Sequence, residues 1–136
     1  MIRFLAVLAC ILLGLPSMAS PGISDKVIEK LITCTPYRQE ATVEVNGMTV
    51  TPIVIIGGEQ HGKCMYQNYA KEYPDEKWIC YFSKEQLKEI EQTYLKFQKD
   101  REAAFGTGKP VVEPMTGLFS KYFNDPLTCR APEEDY

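Results

Sequence analysis

The stretch ATVEVNGMTVTPIVIIGG, residues 41–58, constrains the fold more than any other part of the chain. Ala41, Val43 and Val45 alternate with Thr42, Glu44 and Asn46, the period of a half-buried strand. Asn46-Gly47 follows, and both residues tolerate the positive φ of a type I′ turn, the tightest reversal a strand can make. A two-residue loop fixes the register, setting Val45 against Met48 and Val43 against Val50. Pro52 then falls opposite Ala41, where the first strand is ending, so its missing donor costs little. Residues 53–56 are apolar on both faces, as a central strand requires.

A second pair is expected downstream. KCMYQNY and KWICYF are rich in aromatics and flank AKEYPDE, a turn centred on Pro74-Asp75. Before these strands, Ser24 can cap a helix that carries Val27, Ile28, Leu31 and Ile32 on one face and stops ahead of Thr35-Pro36. After them, Ser83 and Gln86 form a capping box, and Leu87, Ile90, Tyr94 and Phe97 recur at helical spacing. That helix spans 84–104 and ends at Gly106 and Gly108, and residues 117–123 offer a further turn or two. The pattern predicts an α+β fold. A four-stranded antiparallel meander is packed on one face by one long and one short helix and is stabilised by disulfides.

Residues 1–19 carry Arg3, an apolar run and small residues at Ser17 and Ala19, the layout of a cleaved export signal. Residues 20–129 then form one domain, and 130–136 a mobile acidic tail. Beyond the signal stand Cys34, Cys64, Cys80 and Cys129, an even set that reads as two disulfides in an oxidising compartment. Centring the second turn near residues 72–73 puts Cys64 opposite Cys80 and leaves Cys34 for Cys129, with the two other connectivities still open. No C-x-x-C spacing occurs and His61 is the only histidine, so no metal site is expected. A net charge of −3 argues against nucleic acid as a partner, and no later apolar run is long enough for stable membrane insertion.

Gly57 to Cys64 reads G-x-x-x-x-G-K-C, one hydroxyl short of a phosphate-binding loop. Such a loop needs a helix directly after its lysine, whereas Lys63 leads into a strand-like run, so no nucleotide is expected. No catalytic residue is assigned either. The one histidine sits in a glycine-rich turn, and Glu85, Glu89 and Glu91 lie on the solvated face of a helix. An enzyme of unknown class ranks behind two other readings, and no cofactor is implied.

The second hairpin holds the aromatics. Residues 66, 78, 80 and 82 share one face beneath the long helix; residues 65, 69, 79 and 81 share the other, which is either covered by residues 110–129 or offered to a partner. Tyr66, Tyr69, Trp78 and Tyr81 are the candidate binding residues. At CTPY, GKCMY and CYFS the chain resembles small exported bacterial proteins of unknown function, over residues 34–97. Those proteins carry a further cysteine shortly after CTPY, where this chain has Arg38 and Gln39. The resemblance implies a periplasmic or secreted address and no activity. The expected function is a small exported binding or inhibitor protein acting on another protein through an aromatic sheet surface. The alternative is an accessory subunit of an envelope or secretion assembly.

Overall fold

A computed structural model describes residues 24–131; the expected export signal and residues 132–136 lie outside them. The first helix, α1 (Asp25–Ile32), starts where Ser24 Oγ accepts the Val27 amide at 3.2 Å. It buries Val27, Ile28 and Leu31. It stops in a Schellman turn, Thr35 N donating to Lys30 O and Cys34 N to Leu31 O, both at 2.9 Å. Cys34 occupies the left-handed position there, at φ 50°.

Seven strands follow among the described residues: β1 (Tyr37–Glu40), β2 (Val43–Val45), β3 (Met48–Val50), β4 (Pro52–Gln60), β5 (Lys63–Ala70), β6 (Trp78–Phe82) and β7 (Cys129–Arg130). The Asn46-Gly47 turn sets Val45 against Met48 and Val43 against Val50, as the sequence implies. The same register runs on through β1 and β4, from Glu40 opposite Ile53 to Tyr37 opposite Ile56. Between the two stretches Ala41 N donates to Pro52 O at 3.2 Å, but proline has no N–H to return. The ladder therefore breaks, and β2 and β3 form a separate two-stranded ribbon.

The main sheet has five strands in the order β1-β4-β5-β6-β7, not the expected four. The first strand reaches back to Tyr37, and β7 adds a two-residue edge too short to show any periodicity. Arg130, expected to open the tail, is part of it. Two further helices follow among the described residues: α2 (Lys84–Ala104), with the capping box of Ser83 and Gln86 formed, and α3 (Met115–Phe123). Glu113 caps α3 by accepting from the amides of Met115 and Thr116.

The disulfides join Cys34 to Cys64 and Cys80 to Cys129. This overturns the expected pairing of Cys64 with Cys80 and Cys34 with Cys129, and register is the cause. The β5–β6 connection reverses one residue later than expected, so Cys64 faces Phe82 and Cys80 faces Tyr66. The slip preserves the face but separates the sulfurs. Cys80 instead lies directly across from Cys129, with a Cα–Cα distance of 4.0 Å.

One core lies between the sheet and the three helices. Tyr66, Trp78 and Phe82 meet Phe119, Tyr122 and Phe123 of α3, with ring centroids 5.5–6.2 Å apart. Each such pair adds about 0.5–1.5 kcal/mol to the burial of its rings. Val27, Ile28 and Leu31 of α1 and Ile90 and Tyr94 of α2 close the same cluster. All three helices thus contribute to one side of the sheet.

Candidate functional site

Strand alternation sorts the second hairpin into two faces. On β5 and β6 the residues at 64, 66, 68, 70, 78, 80 and 82 are buried, and those at 65, 67, 69, 79 and 81 are half-buried. Of the four sequence candidates, Tyr66 is 1% exposed and Trp78 9%, and both belong to the core cluster. Burial pushes the Tyr66 hydroxyl up to about 12. These two side chains face α3 and offer no contact surface. Tyr69 and Tyr81 lie on the opposite face, which is the candidate site.

The cross-strand rows define that face. One row runs Arg38, Ile55, Gln67, Ile79, Arg130 from edge to edge of the sheet. Beside it, Glu40, Ile53 and Tyr69 form a second row, and Met65 opposite Tyr81 belongs to a third. Ile53 is only 2% exposed and lies outside the core cluster. Met65 folds its methyl end over the β-bulge at residue 57, where a Cβ on Gly57 would come within 2.2 Å of Met65 Cε. A side chain at residue 57 would make the flexible end of Met65 swing aside. The result is a tiled apolar surface with tyrosine and glutamine set into it.

Charge lines the rim. Lys77 Nζ sits 4.8 Å from the centre of the Tyr69 ring, a cation–π contact. Glu40 Oε1 accepts Lys71 Nζ at 3.1 Å and Glu40 Oε2 faces Arg38 at 3.0 Å. The hydrogen bond from Lys71, and then that from Arg38, holds the Glu40 carboxyl below the ordinary carboxylate range. Sequence reasoning placed Met65 and Ile79 on this face but missed Arg38, Gln67, Lys77 and Arg130. Arg38 and Arg130 lie far apart in the chain and meet the face only through β1 and β7.

Residues 57–64 are the β4–β5 reversal. His61 and Gly62 take φ 54° and 79° between the paired residues Gln60 and Lys63. Strand β5, not a helix N-terminus, follows Lys63, and Cys64 is bound to Cys34. No group of three or more His, Cys, Asp or Glu that could hold a metal ion occurs among the described residues. No helix there is long and apolar enough to cross a membrane.

Among the described residues, concavities on the helical side include the following two. A groove of about 780 Å³ runs between the second half of α2 and residues 109–114, floored by Phe97, Val111 and Pro114 and edged by Lys96 and Asp100. A smaller one, about 230 Å³, holds Glu89, Lys121 and Tyr122. There Tyr122 donates its hydroxyl proton to Glu89, and Lys121 Nζ lies 3.0 Å from the same oxygen. These contacts keep the Glu89 carboxyl low, the tyrosine first in effect. Burial, followed by the hydrogen bond to Glu89, pushes the Tyr122 hydroxyl up. This cluster ties α2 to α3.

No protein-family model, curated protein or solved structure gives a significant match to the chain.

Proposed function

We propose that the chain is a small exported binding protein that engages another protein through the sheet face opposite its helices. The observation that carries this reading is the half-buried surface of Ile55, Met65, Tyr69, Ile79 and Tyr81, while all three helices pack into the core on the other side. Contiguous apolar surface edged by polar groups is the signature of a protein contact, and tyrosine suits it because its ring packs while its hydroxyl stays hydrated. Two disulfides support the exported address, since they persist in oxidising compartments. The segment 1–19 supports it from the sequence side.

The test is affinity capture from the secreted and envelope fractions of the source cells. Wild type is compared with a Tyr69→Ser/Tyr81→Ser variant, and bound proteins are identified by mass spectrometry. Both tyrosines are partly exposed, so the variant should fold. A partner retained by wild type and lost by the variant is the expected result. Equal retention by the two proteins would refute the surface. Retention only together with membrane machinery would favour an accessory subunit over a free binding protein.

A further inference from the structure

The Asn46-Gly47 turn has a reactivity that its role as a reversal leaves unused. Both residues are exposed, at φ 52° and 77°, and a Cβ built on Gly47 would meet no atom within 4 Å. No neighbour crowds the Gly47 backbone. The two-residue reversal closes its ladder between Val45 and Met48, which leaves the Gly47 amide outside the pairing. The ribbon behind the turn is small. Its three pairs, Val45–Met48, Glu44–Thr49 and Val43–Val50, form a sheet of their own, separated from β1 and β4 where Pro52 interrupts the ladder. Met48 and Thr49 are exposed, whereas Val50 is 3% exposed and joins the core. The ribbon is anchored at its base and open at its tip.

We propose that Asn46-Gly47 is a site of spontaneous deamidation, with water as the co-reactant, which converts Asn46 to aspartate and isoaspartate. Hydroxide takes the Gly47 amide proton, and the nitrogen's electron pair attacks Asn46 Cγ. The Cγ–Nδ2 bond then breaks, and ammonia leaves with a proton from water. A five-membered succinimide remains, its ring nitrogen being that of Gly47. Water adds to one of the two ring carbonyls, the bond from that carbon to nitrogen breaks, and the nitrogen regains its proton. Opening at the side-chain carbonyl gives aspartate. Opening at the main-chain carbonyl gives isoaspartate, in which the chain runs through Cγ and is one carbon longer. The sum is one amide and one water exchanged for one carboxylic acid and one ammonia, with no oxidation or reduction.

The fold selects this asparagine. Ring closure requires rotation about the Asn46 Cα–C bond, out of the turn conformation, so the tip of the ribbon opens first. Separating Val45–Met48 and Glu44–Thr49 suffices while Val43–Val50 holds the base, and a lone two-stranded hairpin is marginally stable in water. Glycine, without a Cβ, lets its nitrogen approach Cγ closely. The chain's other two asparagines are held differently. Asn68 is 1% exposed, on a strand flanked by β4 and β6, and is followed by Tyr69. Asn124 donates from Nδ2 to Ser120 O at 2.9 Å at the end of α3 and is followed by Asp125. Isoaspartate at residue 46 would lengthen the main chain inside a reversal that has room for two residues. Val45 could then no longer face Met48, and the ribbon would stay open down to Val43–Val50. Because the ammonia is lost, asparagine does not re-form, and the modified fraction records the age of the molecule.

The experiment ages the full mature chain, disulfides intact, in buffers of increasing pH and maps its peptides by mass spectrometry. The peptide containing Asn46 should gain about 1 Da, the difference between an NH₂ and an OH group. It should separate into two isomers, one of which accepts a methyl group from an isoaspartyl methyltransferase. The gain should be about tenfold faster there than at Asn68 or Asn124, and faster by about tenfold per pH unit, as a hydroxide-dependent step requires. Asn46→Gly, which suits the turn but has no side-chain carbonyl, should abolish the gain. In the isoaspartate fraction, amide exchange of residues 44–49 should quicken about tenfold or more while β4 and β5 keep their protection. An Asn46 that stays intact in the folded protein, while the reduced and denatured chain deamidates there, would overturn the proposal by showing that the turn protects it. An equal rate at Asn124, a rate independent of pH, or a gain that persists in Asn46→Gly would overturn it as well. Unchanged exchange of residues 44–49 would overturn the opening of the ribbon.

Discussion

Removing the Cys80–Cys129 bridge should cost about 4 kcal/mol, and the manner of the loss is as telling as its size. The bridge closes a loop with a sequence separation of 49 residues, against 30 for Cys34–Cys64. In the chain-entropy account, loops of those lengths restrict the unfolded chain by about 4.1 and 3.7 kcal/mol. Cys80 is 0% exposed and Cys129 3%, so a Cys80→Ala/Cys129→Ala variant also loses some packing, which makes 4 kcal/mol a lower figure. Strand β7 has only two ladder partners, Ile79 and Cys80, to hold it once the bridge is gone. Urea unfolding followed by tryptophan fluorescence reads the effect through Trp78, which packs on Phe123. The midpoint should fall, and the slope against urea should rise, because an unbridged unfolded chain exposes more surface. A loss below about 1 kcal/mol would refute the reasoning. So would a full loss with an unchanged slope, since that would place the cost in the folded packing alone. Peptide mapping without reduction must first recover Cys80 linked to Cys129.

Three further predictions follow from side chains in the core and turns. Tyr66 should resist ionisation to about pH 12: its neutral form is favoured by roughly 3 kcal/mol over an exposed tyrosine, so stability holds below pH 10 and falls as pH rises from 10 towards 12. Ultraviolet titration with parallel circular dichroism checks this, and folded protein ionising all its tyrosines near pH 10 would contradict it. Tyr122→Phe should cost about 1–2 kcal/mol and flatten the acid limb of the stability curve, because the hydroxyl is the first cause of the lowered Glu89 carboxyl. That contribution is present above the ordinary carboxylate pKa of 4.5 and disappears as pH falls below it. Asn46→Ala should destabilise by about 1 kcal/mol, since Asn46 sits at φ 52° and alanine lacks asparagine's tolerance of that region; thermal melts suffice to measure it.

Turn chemistry explains which parts of this fold could be read from sequence. Asn46-Gly47 admits one tight reversal, so every pairing from Val45–Met48 back to Ala41–Pro52 was legible. Residues 71–77 make a looser connection, in which Tyr73 N bonds Ala70 O and Glu76 N bonds Tyr73 O. No single residue in it sets the centre, and an error of one position there misplaced the cysteine partners. Alternation survives such an error, because the slip moves each residue by an even number of positions. The division of residues 66, 78, 80 and 82 from 65, 69, 79 and 81 was therefore legible, whereas grouping Tyr66 and Trp78 with the surface tyrosines ignored it. The charged rim was hidden for another reason. Arg38 and Arg130 join the face through strands of four and two residues, which leave almost no periodic trace.

The connectivity of the bridges bears on how the chain is oxidised. Cys34 pairs with the next cysteine, Cys64, and Cys80 with the next after that, Cys129, so the two covalent loops are consecutive and neither encloses the other. A chain threaded N-terminus first into an oxidising compartment would present Cys34 and Cys64 before either remaining thiol arrived. An oxidant acting on thiols in order of emergence would make the native bridges without reshuffling. The domain would then depend on a thiol oxidase but little on a disulfide isomerase.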